Sequence, residues 1–378
     1  MKKKDCKECT NCIMDSGDDP EITFNKNGIC NHCTEFKKEW EKYPIGTAKR
    51  LAELENKIEE IKRNGKGKKY DCLIGLSGGV DSTYVALLVK KYGLRPLVVH
   101  LDNGWNSEIA VQNIHNIISK LGFDLYTIVI NWEEFKDLQL SFLKASVVDL
   151  ELTSDHAIFS TMFNLAHKYK VDYIISGFNL ATEGILPAAW RWDKMDWLNI
   201  KDIHKKFGKK KLKTFPHLDF YKKFYYEFFK KIKTIQILNY IDYDKDKVKI
   251  EIAEKLNWKD YGGKHFESII TRFYQGYILP EKFGIDKRKA HLASMIAMGT
   301  ISKEQALNEL KKPIYEESQY KSDREFVLKK FGLSDAEFDK IMKLPIKLHT
   351  DYKNYRNREY HYHEQFFNKL NKTIGRKK

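Results

Sequence analysis

No apolar run in the 378-residue chain reaches the roughly 18–20 residues that cross a bilayer, so no membrane association is expected. The first residues, Met1-Lys2-Lys3-Lys4-Asp5-Cys6, lead into cysteines and not into an apolar h-region. No signal peptide is read there, and the expected location is the cytoplasm. Cysteine is scarce through most of the chain: five of the six lie between Cys6 and Cys33, and only Cys72 lies beyond. Outside the secretory route, cysteines so closely paired bind metal more often than they form disulfides. The 42% hydrophobic and 13% aromatic content excludes a disordered chain, and the length suffices for two or three structural units.

Acidic residues are in deficit, giving a net charge of +15. The stretch from Lys201 to Lys233 alone has twelve Lys against Asp202, Asp219 and Glu227, with Phe and Tyr interleaved. Such a segment permits nucleic acid or an anionic small substrate. Lys outnumbers Arg along the whole chain, however, and Arg is the better residue for fixed phosphate geometry. The segment is therefore read as lysine-rich composition, and no nucleic-acid partner is expected.

Pattern and turn signals divide the chain into a cysteine module (1–47), an α/β unit (48–200) and a mainly helical region (201–378). Leu51, Leu54, Ile58 and Ile61 recur at helical spacing in a connecting helix closed by Gly65 and Gly67. Short apolar runs at 72–76, 97–101, 125–130 and 173–176 read as strands. Helices are expected at 80–92, from a Ser107 cap to about Leu121, and near 156–168. Buried strands alternating with helices indicate a parallel sheet covered on both faces. Beyond about Trp190 the strand signals fade. A helical run starts at Asp244, and Ser302 with Gln305 and Ser334 with Glu337 have capping-box spacing.

Ser77-Gly78-Gly79-Val80-Asp81-Ser82 sits where the first strand ends and a helix begins, the place where open α/β sheets bind ligands. The glycines let backbone N–H groups approach phosphate oxygens, Ser77 and Ser82 add hydroxyls, and the helix N-terminus adds partial positive charge. Asp81 would repel a polyphosphate unless a cation lay between them, which points to Mg²⁺. No Gly-Lys-Ser/Thr follows, so this is not a Walker A loop. It resembles the SGGxDS signature of the PP-loop ATP pyrophosphatases (an adenine nucleotide alpha hydrolase-like fold), which implies ATP cleaved to AMP and pyrophosphate. Asp102, ending the second strand, falls where similar enzymes contact the nucleoside. Gly177 and Asn179 through Glu183 have the spacing of NAD synthetases, which makes Glu183 a second candidate Mg²⁺ ligand and Gly177 and Asn179 nucleotide contacts.

Cys9-x-x-Cys12 and Cys30-x-x-Cys33 are two hooks of the kind that grip tetrahedral zinc. Four thiolates close the coordination shell, so the expected metal is structural. Cys6, three residues before Cys9, and His32 are the alternative ligands. Further along, 262–274 and 283–292 are dense in polar residues. With 266–274 helical, Glu267, Thr271 and Tyr274 would share a face flanked by Arg272. Lys264, His265, Glu267, Arg272, Lys287 and Arg288 are candidates to hold a carboxylated or phosphorylated substrate, with Lys264 and Arg272 also candidate catalytic groups beside Ser77 and Asp81.

CxxC…NGICNHC, LIGLSGGVDSTY, SGFNLATEGILP, YGGKHFES..TRF and KFGIDKRKAHL, in that order from Cys9 to Pro313, resemble the N-acetyl sugar amidotransferases of bacterial surface-polysaccharide synthesis. One departure is Asn25, where family members often carry Asp. The resemblance implies adenylylation of the acetamido oxygen of a nucleotide-activated or acidic N-acetyl sugar, followed by attack of ammonia to give an acetamidino sugar. Ammonia must come from elsewhere, because position 2 is Lys2 and no G-x-C-x-G elbow is present. The family implies a separate glutaminase subunit with a barrel-type partner. The competing readings are a PP-loop tRNA-modifying enzyme acting through a base adenylate, and a non-catalytic nucleotide-binding scaffold.

Overall fold

The structure is a computed structural model and describes residues 6–42, 46–263 and 266–356. Helix α1 (Asn31–Lys42) closes the cysteine module, and α2 (Ala48–Gly65) leads into the sheet unit. There β1 (Cys72–Gly75), α3 (Val80–Lys91), β2 (Pro96–Asp102), α4 (Glu108–Leu121), β3 (Asp124–Val129), α5 (Trp132–Ala145), α6 (Leu152–Lys168) and β4 (Tyr173–Ser176) follow in order. The short α7 (Leu180–Glu183), α8 (Trp197–Phe207) and α9 (Phe220–Phe224) precede β5 (Lys233–Gln236). The remainder is helical: α10 (Lys245–Leu256), α11 (Ile269–Phe273), α12 (Arg288–Met298), α13 (Lys303–Leu310), α14 (Glu317–Phe331) and α15 (Asp335–Met342).

All five strands are parallel, in the order β3-β2-β1-β4-β5. Alternate residues of each central strand enter different cores. Cys72 and Ile74 of β1, Val98 of β2, and Tyr173 and Ile175 of β4 pack with α3, α4 and α10. Leu73, Leu97, Val99 and Ile174 pack with α6 on the opposite face. This two-sided burial explains why the strands read as continuous apolar runs. A third core joins the cysteine module to α5, α8 and the C-terminal helices.

The four expected strands are present, as are the Ser107 cap and both capping boxes. Three elements differ from the sequence reading. β5 begins at Lys233, the last residue of the lysine-rich stretch, and only Ile235 of its four residues is buried; an edge strand of this kind carries almost no period-2 signal. Helix α5 follows β3 where no helix was foreseen. Helix α11 starts at Ile269 and not at Phe266, because Ser268 takes the N-cap and accepts from the Thr271 N–H. Glu267 therefore precedes the helix and shares no helical face with Thr271 and Tyr274.

Two buried histidines tie the C-terminal region to the sheet unit. His156 bonds through Nδ1 to the Lys194 carbonyl at 2.9 Å and accepts from the Leu218 N–H at 3.2 Å. His349 bonds through Nδ1 to Asn199 at 2.8 Å and stacks on Trp192 at 5.1 Å. Burial, which penalises the charged ring, lowers both from 6.5 to about 4. The unfolded chain therefore binds more protons between those values, so the stability these groups contribute is present above pH 6.5 and lost as the pH falls toward 4. Thermal melting should drop across that window, and less steeply in His349→Gln, whose side chain cannot be protonated there. An equal pH dependence in variant and parent would contradict this assignment.

Candidate active site

From β1 the chain runs outward to β2 and β3 on one side and to β4 and β5 on the other, so β1 and β4 flank the topological switch point where such sheets bind ligands. The turn after β1 is the serine-glycine loop. Gly78 has φ +82°, and a Cβ there would lie 2.6 Å from the Ala110 carbonyl oxygen, so no larger residue fits. Its own carbonyl accepts from Trp258 Nε1 at 2.9 Å and from Asn113 Nδ2 at 3.3 Å. Asn113 is in turn clamped by the Lys259 backbone at 2.8 and 2.9 Å. Ser77 Oγ and Ser82 Oγ lie 3.2 Å apart across the loop. Gly79 caps α3 with no side chain of its own. The start of α3 and two hydroxyls thus line one turn, with the Gly79 N–H donating to Ser77 Oγ at 3.2 Å, an arrangement suited to phosphate.

Asp81 opens α3 and faces the turn after β4. Asn179 Nδ2 donates to Asp81 Oδ1 at 3.4 Å, and the Tyr243 hydroxyl donates to the same oxygen. Gly177 is equally close: a Cβ on it would be 3.3 Å from Asp81 Cβ. Burial first, and then the charges of Asp81 and Glu183, hold the Tyr243 hydroxyl well above the usual tyrosine range, so it stays a proton donor. Asn179 also caps α7, accepting from the Thr182 N–H at 2.9 Å. Glu183, the last residue of α7, is half-buried on this side of the crevice. Asp81 and Glu183 offer hard oxygen donors, the chemistry that suits Mg²⁺ when phosphate oxygens complete its shell.

The segment after α10 covers the loop from the other side. The Tyr261 hydroxyl accepts from the Val80 N–H at 3.3 Å. Glu267 Oε1 lies 3.3 Å from where a Gly79 Cβ would stand. The segment is fixed by an antiparallel bridge between Asn106 and Ser268, with Ser107 N–H to the Glu267 carbonyl at 2.8 Å and Ile269 N–H to the Trp105 carbonyl at 2.9 Å. Below it, buried His100 bonds through Nδ1 to the Leu76 carbonyl at 2.9 Å and through Nε2 to Asn106 at 3.2 Å. Because the Asn106 amide nitrogen donates, the His100 proton sits on Nδ1. Lys264 and His265 lie outside the described residues.

Asp102 ends β2 and accepts from the Gly104 N–H at 2.8 Å. Lys330 of α14 donates to the Gly104 carbonyl and lies 4.7 and 4.6 Å from the Trp105 and Trp132 ring centres. The remaining candidates are held in ion pairs. Arg272 forms a two-bonded pair with buried Asp323 at 2.6 and 2.8 Å. Lys287 binds Glu151 at 2.8 Å, and Arg288 binds Asp286 at 2.8 Å. The structure thus gathers Ser77, Gly78, Gly79, Val80, Asp81, Ser82, Gly177, Asn179 and Glu267 around the loop. Trp258, Asn113, Tyr243, Tyr261 and Lys330 were not anticipated. Only Tyr261 lay inside a recognised motif; the others act through tertiary contacts without any local spacing.

The cysteine module is compact. Cys9 and Cys33 Sγ lie 4.0 Å apart, and Cys12 and Cys30 Sγ lie 3.8 Å apart. All four sulfurs fall within 4.8 Å of one another and are buried. Zn–S bonds of about 2.3 Å in a tetrahedron require S–S separations of about 3.8 Å, so the set fits zinc. Backbone N–H groups of Asn11, Cys12 and Cys30 point at Cys9 Sγ within 3.3–3.4 Å, as expected for thiolates. His32 is turned to Asp19 at 2.7 Å, and Cys6 is not in the cluster.

Residues 267–370 match the family model described as LPS biosynthesis protein WbpG-like, C-terminal domain. Residues 267–370 thus correspond to a WbpG-like C-terminal domain, and the serine-glycine loop ahead of it follows the first strand of the parallel sheet. That domain begins at Glu267, the residue placed against the loop, and it agrees with the resemblance to surface-polysaccharide enzymes. The chain is also similar to the uncharacterized protein MJ1599 of Methanocaldococcus jannaschii, 26% identical over 82% of this chain and 97% of that protein. Shorter matches are to the glutamine-hydrolyzing GMP synthase of Wigglesworthia glossinidia brevipalpis and to tRNA(Ile)-lysidine synthase of Chlamydia pneumoniae. The first is 28% identical over 27% of this chain and 19% of that enzyme, and the second 36% identical over 19% and 23%. Among solved structures, NMN synthetase from Francisella tularensis aligns over 79% of this chain and 97% of its own, with a TM-score of 0.37 and 16% identity.

Protein purified without chelators should carry one zinc per chain by ICP mass spectrometry, and Cys12→Ser should lower both the zinc content and the melting temperature. Gly78→Ala should weaken ATP binding measured by calorimetry, because both the left-handed φ and the Ala110 contact oppose a Cβ. Normal affinity in that variant would show that the loop geometry is not what holds the phosphates.

Proposed function

We propose that the protein cleaves ATP between the α- and β-phosphates and transfers AMP to the acetamido oxygen of an N-acetyl sugar, after which ammonia displaces AMP to leave an acetamidino group. The observation that carries this reading is the crevice at the switch point, where the start of α3 and Asp81 face Asn179 and Glu183. The acceptor is inferred from the WbpG-like domain, which contributes Glu267 to the crevice. The names of the GMP synthase and the lysidine synthase refer to different acceptors, so those short matches do not select one.

Mg²⁺·ATP, when bound, supplies the adenylyl group and neutralises the departing pyrophosphate. The chain's own residues do the rest by position. Loop amides and the Ser77 and Ser82 hydroxyls orient the phosphates, and donors fixed before the reaction stabilise developing charge at no reorganisation cost. Asp81 and Glu183 would hold the cation on the β4 side. Tyr261 and Glu267 stand against the loop on its other side. Ammonia is supplied by a glutaminase partner with a barrel-type subunit.

Incubation with ATP, ammonium and a panel of nucleotide-linked N-acetyl sugars should yield AMP, pyrophosphate and a product in which NH replaces the amide oxygen by mass spectrometry. Asp81→Asn should lower AMP formation by about 10²–10³-fold with melting unchanged. Formation of ADP and orthophosphate would sink the reading.

A further inference from the structure

Helix α7 has one turn, too little to be stable alone, yet it ends in Glu183 beside the Asp81 side of the crevice. Its position must come from what packs on it. On one side stands α12: His291 Nδ1 meets the Thr182 carbonyl at 2.7 Å, and Ser294 Oγ accepts from the Ile185 N–H at 2.8 Å. On the other stands the cysteine module. Gly184, directly after Glu183, lies under the Phe36 ring, where a Cβ would come within 2.5 Å of Cε2 and 2.7 Å of Cδ2.

Phe36 belongs to α1, one turn beyond Cys33, and both are buried on the same face. A metal bound at Cys33 therefore fixes the rotation of α1, and with it the placement of the Phe36 ring. The module is also tied to α12 and its neighbours. Lys289 binds Asp15 at 2.7 Å and also Asp18, Lys303 Nζ donates to the Cys9 carbonyl at 2.7 Å, and Trp190 Nε1 donates to the Asp18 carbonyl at 2.8 Å. The turn carrying Asn179 and Glu183 is thus gripped between two elements that are themselves bonded to each other.

We propose that the four-cysteine module is a positioning device for the divalent-cation half of the nucleotide site, with Phe36 as the positioning residue that sets Glu183 through Gly184. A ligand displaced by a few tenths of an ångström loses affinity for Mg²⁺, whose octahedral shell is strict. The phosphate half, held by Trp258 and Asn113 on the far side of α3, is left in place. The inference rests on reading Glu183 as a metal ligand.

The test is Mn²⁺ binding by EPR to the zinc-loaded full chain with α,β-methylene-ATP. Phe36→Ala should weaken Mn²⁺ by about tenfold, the lower end of what outer-shell changes cost at metal sites. Zinc content and binding of the analogue without divalent cation should stay unchanged, and Phe36→Leu should restore most of the affinity. Wild-type Mn²⁺ affinity in a zinc-retaining Phe36→Ala protein overturns the proposal, as does an equal loss of analogue affinity without the cation. Should Phe36→Ala shed zinc, Gly184→Ala replaces it. The Gly184 φ of −69° suits alanine, but the added Cβ would press on the Leu180 carbonyl at 2.7 Å as well as on the ring. The part of the Mn²⁺ loss that Phe36→Leu relieves in the double variant is therefore the part carried by the ring, and an absence of relief overturns the proposal. Glu183→Gln separates the premise: unchanged Mn²⁺ affinity there refutes Glu183 as ligand, whereas weakening there with none in Phe36→Ala refutes the coupling alone.

Discussion

The carbonyl of Gly78 is the point on which the site turns. With φ in the left-handed region, this peptide directs its oxygen away from the crevice to Trp258 and Asn113. The amides that follow, of Gly79 and Val80, turn instead to Ser77 Oγ and the Tyr261 hydroxyl at the start of α3. A loop of two glycines has many conformations in an unfolded chain and loses a large entropy in holding one. Two hydrogen bonds from distant residues, both to one buried oxygen, select that conformation before any nucleotide arrives.

Asn113 belongs to α4 of the sheet unit, but Trp258 comes from beyond it, and this makes the parts of the chain interdependent. Trp258 and Tyr261 follow α10, Glu267 opens the WbpG-like domain, and Lys330 reaches from α14 to the turn after β2. The cysteine module shares one continuous core with the C-terminal helices. The boundary drawn at residue 200 separates sequence textures, but the fifth strand of the sheet comes from residues 233–236.

Electrostatics in the crevice follow from the same convergence. Asp81, Glu183 and Glu267 surround a place made for an anion, and Tyr243, buried, and Tyr261, half-buried, stand among them. Burial and the neighbouring carboxylates raise both tyrosines, so their hydroxyls remain neutral between the acids. An excess of carboxylate beside phosphate is stable only with cations between them. Basic candidates expected to meet the substrate, Arg272, Lys287 and Arg288, instead neutralise Asp323, Glu151 and Asp286. Their spacing revealed charge and polarity but not which acids would face them.

The sequence by itself determined what depends on near neighbours. The SGGxDS turn, the Cys-x-x-Cys hooks, the apolar strands and the helix caps are each written within a few residues, because backbone dihedrals, thiolate spacing and cap hydrogen bonds act at that range. It missed β5, whose outward-facing residues carry no hydrophobic period, and it began α11 at Phe266 when Ser268 is the cap. Tertiary structure alone decided the rest: Trp258 on the Gly78 carbonyl, Tyr243 on Asp81, Phe36 on Gly184 and the bridge of Asn106 to Ser268. Such contacts join residues far apart along the chain, and only packing of the whole chain brings them within bonding distance.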